Sequence, residues 1–237
     1  MGQKKLVRFA AIKTYDHVLE NPENMPGKWA EFFNNEQPLV LELACGKGEY
    51  AVGLGQMYPE KNYLGVDVKG NRIYIGAKKA LEQGIKNVGF LRTQIDRIAT
   101  YFNTDEVSDI WLTFPDPQLR KGKYRKRLTH PSFLRKYQAF LKKDGNIHLK
   151  TDSTLLYDFT KRVVELYGCT LLKDYDDVYK QATEPELLNI KTHYEGLDIA
   201  QSGKIYFLKF QLPAVIDESK DEVLKQIVED NEIGRER

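Results

Sequence analysis

The chain has 237 residues, and at a typical ~150 residues per domain this length predicts one sizeable domain with additional segments. Hydrophobic residues make up 41 % and charged residues 30 %, a balance that excludes collagen-like, coiled-coil and disordered chains. The 36 Lys and Arg residues nearly cancel the 34 Asp and Glu residues, so the net charge of +2 indicates no particular partner. No apolar run approaches the ~18 residues of a spanning helix, which excludes a membrane-embedded protein.

The cysteine and histidine content bears on compartment and metal binding. Two cysteines, Cys45 and Cys169, are too few for a disulfide framework, and no secretory leader is recognisable at the start of the sequence. We therefore expect a reducing, cytoplasmic environment. The four histidines are scattered without metal-ligand spacing, so no metal site is expected.

Residues 1–37 contain Asn, Pro and Gly without clean periodicity and predict an extension that lies on the main domain. From residue 38 onwards, β-branched apolar runs alternate with segments of helical periodicity, which is typical of βα units on a parallel sheet. The predicted strands are Leu39–Ala44, Tyr63–Val68, Val88–Arg92, Asp109–Phe114 and Asn146–Lys150. The predicted helices are Glu49–Met57, Asn71–Gln83, Ile95–Phe102, Pro131–Leu141 and Ser153–Tyr167.

The pattern changes after Gly168. Two further predicted strands, Cys169–Tyr175 and Ile205–Leu212, are joined by a long polar segment, and such loops in compact domains are more often functional than idle. Residues 214–237 contain eight acids and four bases, and this net charge of −4 predicts a solvated tail or a short surface helix. The main domain is therefore expected to span residues 38–213, followed by this acidic C-terminal tail.

The near-neutral total charge hides a strongly basic segment. Residues 120–150 contain eleven Lys and Arg residues and one acid, Asp144, for a net charge of +10. The densest part, Arg120–Arg127, places six cations around Tyr124, and concentrated charge of this kind attracts phosphates. An isolated basic run is a solvated loop about as often as it is a phosphate-binding site. Its position just after the fourth predicted strand favours a ligand-binding role, since open α/β sheets bind ligands at the carboxyl ends of their strands.

The segment Leu41–Gly48 joins the first predicted strand to the first helix through a glycine turn. Written as Gly46-x-Gly48-x-x-Ala51, it matches the dinucleotide fingerprint, with Asp67 at the distance expected of a ribose acceptor. An NAD-dependent oxidoreductase is therefore one interpretation. A different interpretation rests on the carboxylates expected at strand ends, because acids suit a cationic sulfonium cofactor better than a pyrophosphate. These acids are Glu42, Asp67 and Asp116, the last fixed between Pro115 and Pro117.

Taken together, the motifs resemble the bacterial tRNA (guanine-N7-)-methyltransferase family over about residues 38–212. The matching segments are Glu42–Gly48, Leu64–Lys69, Phe114–Pro117 with the basic run after it, His148–Asp152 and Thr192–Glu195. The resemblance implies an α/β, Rossmann-like class I methyltransferase fold with a mostly parallel seven-stranded sheet flanked by helices and an antiparallel C-terminal strand. It implies S-adenosyl-L-methionine as cofactor and N7 of guanosine-46 in the variable loop of tRNA as target. The expected oligomeric state is left open between monomer and homodimer.

The resemblance also implies roles for individual residues. Asp116 is the expected catalytic residue. Cofactor contacts are expected from Glu42, Gly46, Gly48, Asp67, Gln94 and Asp116. Substrate contacts are expected from Arg120, Lys121, Asp152, Thr192, Tyr194 and Glu195.

The sequence departs from the family pattern at several positions. Ala44 replaces the first glycine of the turn, and Gln118 and Leu119 stand where many relatives carry Trp and His or Pro. Gln94 replaces the usual acid, which leaves Asp96 as a second candidate for the same contact. A non-catalytic RNA-binding protein that retains the fold is the alternative function, although the presence of all three strand-end acids argues against it.

Overall fold

The computed structural model describes residues 2–197, 199 and 202–233. Within these residues the chain forms one eight-stranded sheet in the order β1-β4-β3-β2-β5-β6-β8-β7. The strands are β1 (Val18–Glu20), β2 (Leu39–Leu43), β3 (Asn62–Asp67), β4 (Val88–Arg92), β5 (Val107–Thr113), β6 (Leu141–Thr151), β7 (Thr170–Tyr175) and β8 (Tyr206–Gln211). Strand β8 is antiparallel to its neighbours β6 and β7, whereas the other neighbouring strands pair in parallel.

The helices flank this sheet on both faces. They are α1 (Gly2–Ile12), α2 (Trp29–Phe33), α3 (Glu49–Met57), α4 (Gly70–Glu82), α5 (Pro131–Gln138), α6 (Thr154–Leu166), α7 (Val178–Gln181), α8 (Pro185–Leu188) and α9 (Asp221–Ile233). Short 3₁₀ helices occur at Ile95–Tyr101, Lys121–Lys126, Glu195–Leu197 and Glu218–Lys220. None of the helices in the described residues is both long and apolar enough to cross a membrane.

The predicted fold class is confirmed, with three local differences. The sheet has eight strands rather than seven because the N-terminal segment adds β1, which at three residues is too short to produce a recognisable pattern. The predicted helix Ile95–Phe102 is a 3₁₀ helix. Strand β6 begins at Leu141, which was predicted as the end of the preceding helix, and not at Asn146; its exposed polar first part leaves no apolar run to mark it.

Two apolar clusters cover the two faces of the sheet. Successive residues of a strand point to opposite faces, so Leu41 and Leu43 of β2 pack with Tyr137 of α5, while Val40 packs in the other cluster with Tyr50 of α3. All residues of β2 and β3 are buried, which explains why these strands appear in the sequence as continuous apolar runs.

The segments at both ends pack on this core. Near the N-terminus, Trp29 is buried and its indole Nε1 donates to the carbonyl of Tyr101 at 2.9 Å. Near the C-terminus, Leu224 and Val228 of α9 are buried. The carboxylate of Asp221 also receives two hydrogen bonds from the Arg135 guanidinium, at 2.6 and 3.0 Å. The acidic helix α9 is therefore docked along one face and solvated along the other.

Candidate active site

A cavity of about 1000 Å³ opens at the carboxyl ends of the parallel strands β2 to β6. This is the edge at which open α/β sheets bind ligands, and the volume is at the upper end of the range for small-molecule sites. In the described part of the chain, acids outnumber bases in the cavity lining. The acidic lining residues are Glu42, Glu49, Asp67, Asp96, Asp116 and Asp152, and the basic ones are Lys69, Arg72, Arg125 and Lys126.

The turn after β2 forms the floor of the cavity. Every second residue in it has a positive φ: Ala44 at 58°, Gly46 at 57° and Gly48 at 68°. Ala44 thus adopts the left-handed conformation that glycine would take more readily at this position. Gly46 lines the cavity, whereas Gly48 lies outside the lining and is the N-cap residue of α3, where a Cβ would approach Phe90 Cε1 to 2.5 Å.

Glu42 is a buried carboxyl group at the base of the cavity. Its Oε2 accepts a hydrogen bond from the backbone N–H of Ala51 at 2.8 Å, and its Oε1 accepts one from the Thr113 hydroxyl at 2.7 Å. Burial raises the pKa of Glu42 to about 8 despite these two donors. At neutral pH burial therefore keeps the Glu42 carboxyl group largely protonated. A cation that enters the cavity would favour its ionised form.

Asp67, at the end of β3, is oriented by two backbone donors. Its Oδ2 accepts from the N–H of Gly46 at 2.9 Å, and its Oδ1 accepts from the N–H of Lys69 at 2.7 Å. Because an ionised carboxylate offers about four lone-pair sites, this arrangement leaves acceptor capacity for further donors. The side chain is thus fixed on a cavity wall with free acceptor positions, as binding of two neighbouring hydroxyls requires.

Both candidates after β4 line the cavity. Gln94 follows the strand and Asp96 comes two residues later. The Asp96 carboxylate is engaged by Lys136, whose Nζ lies 3.0 Å from Oδ1. Apolar neighbours, Ile95 and Phe133, lie on the same wall and provide a surface for a flat heterocycle.

Asp116 lies in a tight turn after β5 and is exposed to the cavity. Phe114 and Gln118 on either side of it have positive φ values of 47° and 50°. The N–H of Gln118 donates to Asp116 Oδ1 at 2.9 Å, which orients the carboxylate. Asp152, after β6, also lines the cavity, so the structure brings the two predicted acids of β5 and β6 to one site.

The basic run does not form one uniform surface. Arg125 and Lys126 are exposed and line the cavity, and Arg120 is exposed but outside the lining. The side chain of Lys121 lies outside the described residues. Arg127 is only 2 % exposed, although the sequence pattern groups it with the solvent-facing cations.

The Thr192–Glu195 motif divides in the same way. Thr192 and Tyr194 line the cavity, and the Arg72 guanidinium lies 5.6 Å from the centroid of the Tyr194 ring. Glu195, also an expected substrate contact, lies outside the cavity lining. Its carboxylate instead pairs with Lys150 and accepts from the Tyr179 hydroxyl.

Lys150 supports the cavity wall from inside the protein, a role that the sequence pattern did not indicate. It is fully buried, and its Nζ lies 3.0 Å from Glu195 Oε1 and donates to the carbonyl of Leu187 at 2.8 Å. Burial lowers the pKa of the Lys150 ammonium, while the Glu195 carboxylate opposes this shift. The available signal was a lysine that directly follows Ile147 and Leu149 in a predicted buried strand, where an unpaired charge would be unfavourable.

Comparison with known proteins identifies the family. The family model described as a putative methyltransferase matches residues 36–208. The tRNA (guanine-N(7)-)-methyltransferase of Bacteroides thetaiotaomicron is 46 % identical over 222 residues, which cover 90 % of this chain and 87 % of that protein. This chain belongs to the tRNA (guanine-N7-)-methyltransferase family. The methyltransferase of the same name from Christiangramia forsetii is 43 % identical, over 90 % of this chain and all of that protein.

Solved structures confirm the Rossmann-like methyltransferase fold. The 16S rRNA (adenine(1408)-N(1))-methyltransferase from Catenulisporales acidiphilia superposes with a TM-score of 0.57 at 13 % identity, covering 83 % of this methyltransferase and 95 % of that chain. The 16S rRNA methyltransferase KamB gives a TM-score of 0.60 at 15 % identity and covers 83 % of this chain and 99 % of that one. At such low identities the likeness concerns the fold alone.

Proposed function

We propose that this methyltransferase transfers a methyl group from S-adenosyl-L-methionine to N7 of guanosine-46 in the variable loop of tRNA. The observation that carries the proposal is the single cavity lined by Asp67, Asp116 and Asp152, with Arg125 and Lys126 in the same lining. The named relatives supply the choice of tRNA and guanine N7, since two of them exceed 40 % identity over most of the chain.

The residues of the cavity fit S-adenosyl-L-methionine. When bound, this cofactor supplies an electrophilic methyl group attached to a positively charged sulfur. The carboxyl group of Glu42, once ionised, would attract the positively charged part of the cofactor. The Asp67 carboxylate would accept hydrogen bonds from the ribose hydroxyls, through the lone pairs that its bonds to Gly46 and Lys69 leave available. Gln94, with apolar residues beside it, would contact the adenine.

Guanine N7 carries a lone pair in the plane of the ring and no proton, so its methylation needs no general base. The base becomes cationic as the bond forms, and a carboxylate near the purine stabilises the charge that develops there. We assign this role to Asp116, with Asp152, which follows the neighbouring parallel strand β6, as a second acid. Alignment of the reacting atoms is the main contribution of the protein, worth roughly 7–11 kcal/mol in well-oriented systems.

The exposed cations of the basic run would hold the tRNA backbone. Arg120, Lys123, Arg125 and Lys126 are exposed and lie next to the turn that carries Asp116. Tyr124 is half-buried and packs edge-to-face on His130 at 5.3 Å between ring centroids, so it supports the loop. We further propose that the protein works without a metal ion in the cytoplasm, where its tRNA substrate is found, as a monomer or homodimer.

The test is a methyl-transfer assay with unmodified tRNA and labelled S-adenosyl-L-methionine. We expect the label in 7-methylguanosine, and borohydride–aniline cleavage should map it to position 46. A tRNA with adenosine at position 46 is the matched control and should accept no label. Label in another nucleoside would overturn the substrate assignment, and tRNA binding without any transfer would favour the non-catalytic alternative.

A further inference from the structure

The last cation of the basic run is directed into the protein. Arg127 is 2 % exposed, in contrast to Arg125 and Lys126 before it, which are exposed. Its guanidinium carbon lies 4.6 Å from the centroid of the Phe159 ring of α6. The planar guanidinium therefore packs on an aromatic side chain, an arrangement that a lysine ammonium reproduces poorly.

The Arg127 guanidinium donates to the turn that carries Asp116. Its Nε lies 3.0 Å from the carbonyl oxygen of Pro117, and its Nη2 lies 3.3 Å from the carbonyl oxygen of Gln118. The N–H of Gln118 donates in turn to Asp116 Oδ1 at 2.9 Å. A short chain of hydrogen bonds thus connects the buried guanidinium to the carboxylate in the cavity.

This turn needs support from outside. Phe114 and Gln118 have positive φ values, a region that residues with a Cβ occupy only when their surroundings hold them there. Pro115 and Pro117 have no backbone N–H and cannot stabilise the turn as donors. The fork of the Arg127 side chain satisfies two consecutive carbonyl groups of the turn, and those bonds restrict the orientation of the peptide that holds Asp116.

We propose that Arg127 is a positioning residue that holds Asp116 in its productive orientation and makes no contact with RNA. The inference rests on the proposed function, since it assigns a support to the acid of that reaction. It separates one cation of the basic run from its neighbours: removal of Arg125 should weaken tRNA binding, whereas removal of the Arg127 fork should slow methyl transfer on bound tRNA.

The experiment compares Arg127→Lys, Arg127→Gln and Arg125→Gln in the full chain. Both Arg127 variants should lower kcat about tenfold or more with a less than twofold change in KM for tRNA, because small displacements of a reacting group reduce rates strongly. Arg125→Gln should instead raise KM for tRNA and reduce its salt dependence. The lysine variant is decisive, since it keeps the charge that a phosphate contact needs and loses the fork.

Two further measurements exclude a general loss of structure. Thermal unfolding should show that Arg127→Lys is folded, and calorimetric titration should show that it still binds S-adenosyl-L-methionine. In the Asp116→Asn background, Arg127→Lys should reduce kcat by less than twofold, because its effect is transmitted through the carboxylate that is already lost.

Hydrogen exchange of the Phe114–Leu119 segment tests the geometry without any assay of activity. The Gln118 amide should exchange at least severalfold faster in Arg127→Lys than in the unmodified chain. Normal kcat in Arg127→Lys, a KM effect like that of Arg125→Gln, or unchanged exchange would each overturn the positioning role. Absence of methyl transfer by the unmodified protein would instead contradict the proposed function, and the exchange result would still decide the role of Arg127.

Discussion

Lys150 and Glu195 form an ion pair inside the protein, although 45 residues separate them in the chain. Lys150 Nζ lies 3.0 Å from Glu195 Oε1, and the two side chains are 0 % and 4 % exposed. The same ammonium donates to the carbonyl of Leu187, and the Glu195 carboxylate accepts from the N–H of Thr192 at 3.3 Å. The pair therefore attaches the segment between β7 and β8 to strand β6, and this attachment places Thr192 on the cavity wall.

Removal of one partner of this pair should destabilise the fold. We expect Glu195→Gln to lower the free energy of unfolding by about 3–5 kcal/mol, because it leaves a buried ammonium without its counter-charge. Urea unfolding measures this change. The control is Glu82→Gln, which removes an exposed pair between Lys78 and Glu82 and should change stability by about 0.5 kcal/mol or less. Equal effects of the two substitutions would contradict a structural role for the buried pair.

The three left-handed residues of the glycine turn should respond differently to a Cβ. Ala44→Gly should raise the free energy of unfolding by about 1 kcal/mol, since it removes the strain of a side chain at positive φ. Gly46→Ala should lower it by about as much, because it places a Cβ at positive φ, while the open space around that position adds no clash. Gly48→Ala should lower it further, as its Cβ would meet Phe90. Denaturant unfolding of the three variants checks this order, and a destabilising Ala44→Gly would refute the strain argument.

Cofactor binding should release a proton from Glu42 below pH 8. Burial raises the pKa of Glu42 to about 8, and a cation bound beside it favours ionisation. Calorimetric titration with S-adenosyl-L-methionine in buffers of different ionisation enthalpy should show release at pH 7 and none at pH 9. Glu42→Gln provides the control and should show no release at either pH; release from that variant would assign the proton to another group.

The same shift predicts how stability depends on pH. In the unfolded chain Glu42 ionises near its ordinary pKa, whereas in the folded protein it keeps its proton up to about pH 8. The unfolded state therefore binds fewer protons between these values, and stability must fall as pH rises through this window. Relative to Glu42→Gln, the unmodified protein should lose stability from about pH 4.5 to 8 and show no further change above it. Parallel profiles would show that Glu42 ionises normally.

Asp116 should act through its charge and should not accept a proton in the rate-limiting step. We expect Asp116→Asn to lower the single-turnover rate roughly hundred- to thousandfold, as loss of one stabilising group at a developing charge does elsewhere. The rate of the unmodified enzyme should be nearly the same in H₂O and D₂O, because guanine N7 loses no proton. A solvent isotope effect of about two or more would indicate general-base catalysis instead.

Exposed cations near the cavity should contribute to the salt dependence of tRNA binding. Arg125→Ala with Lys126→Ala should weaken binding and reduce the slope of log K against log salt by about 0.7 to 0.9 per lost phosphate contact. Lys142→Ala with Lys143→Ala removes the same charge from exposed residues at the opposite end of β6 and is the matched control. Similar slopes for the two double variants would mean that total charge, rather than this surface, attracts the RNA.

Much of the fold could be predicted because buried parallel strands leave a direct trace in the sequence. The runs Leu39–Leu43 and Val88–Arg92 were recognised since nearly every residue in them is buried. Strand β1 was missed because three residues carry no period. The first part of β6 was missed because Lys142, Lys143 and Asp144 are exposed, so no apolar pattern marks it.

The sequence by itself determined the order of the βα units, and with it the carboxylates that follow strand ends at one edge of the sheet. Carboxyl ends of parallel strands share that edge whatever the details of packing, so Asp67, Asp116 and Asp152 had to lie near each other. Only the tertiary structure decided the direction of Arg127 and Glu195. Each belongs to a polar motif without periodicity. Arg127 turns inward onto Phe159 and Glu195 turns inward onto Lys150, because these partners, distant in the chain, offset the loss of hydration there.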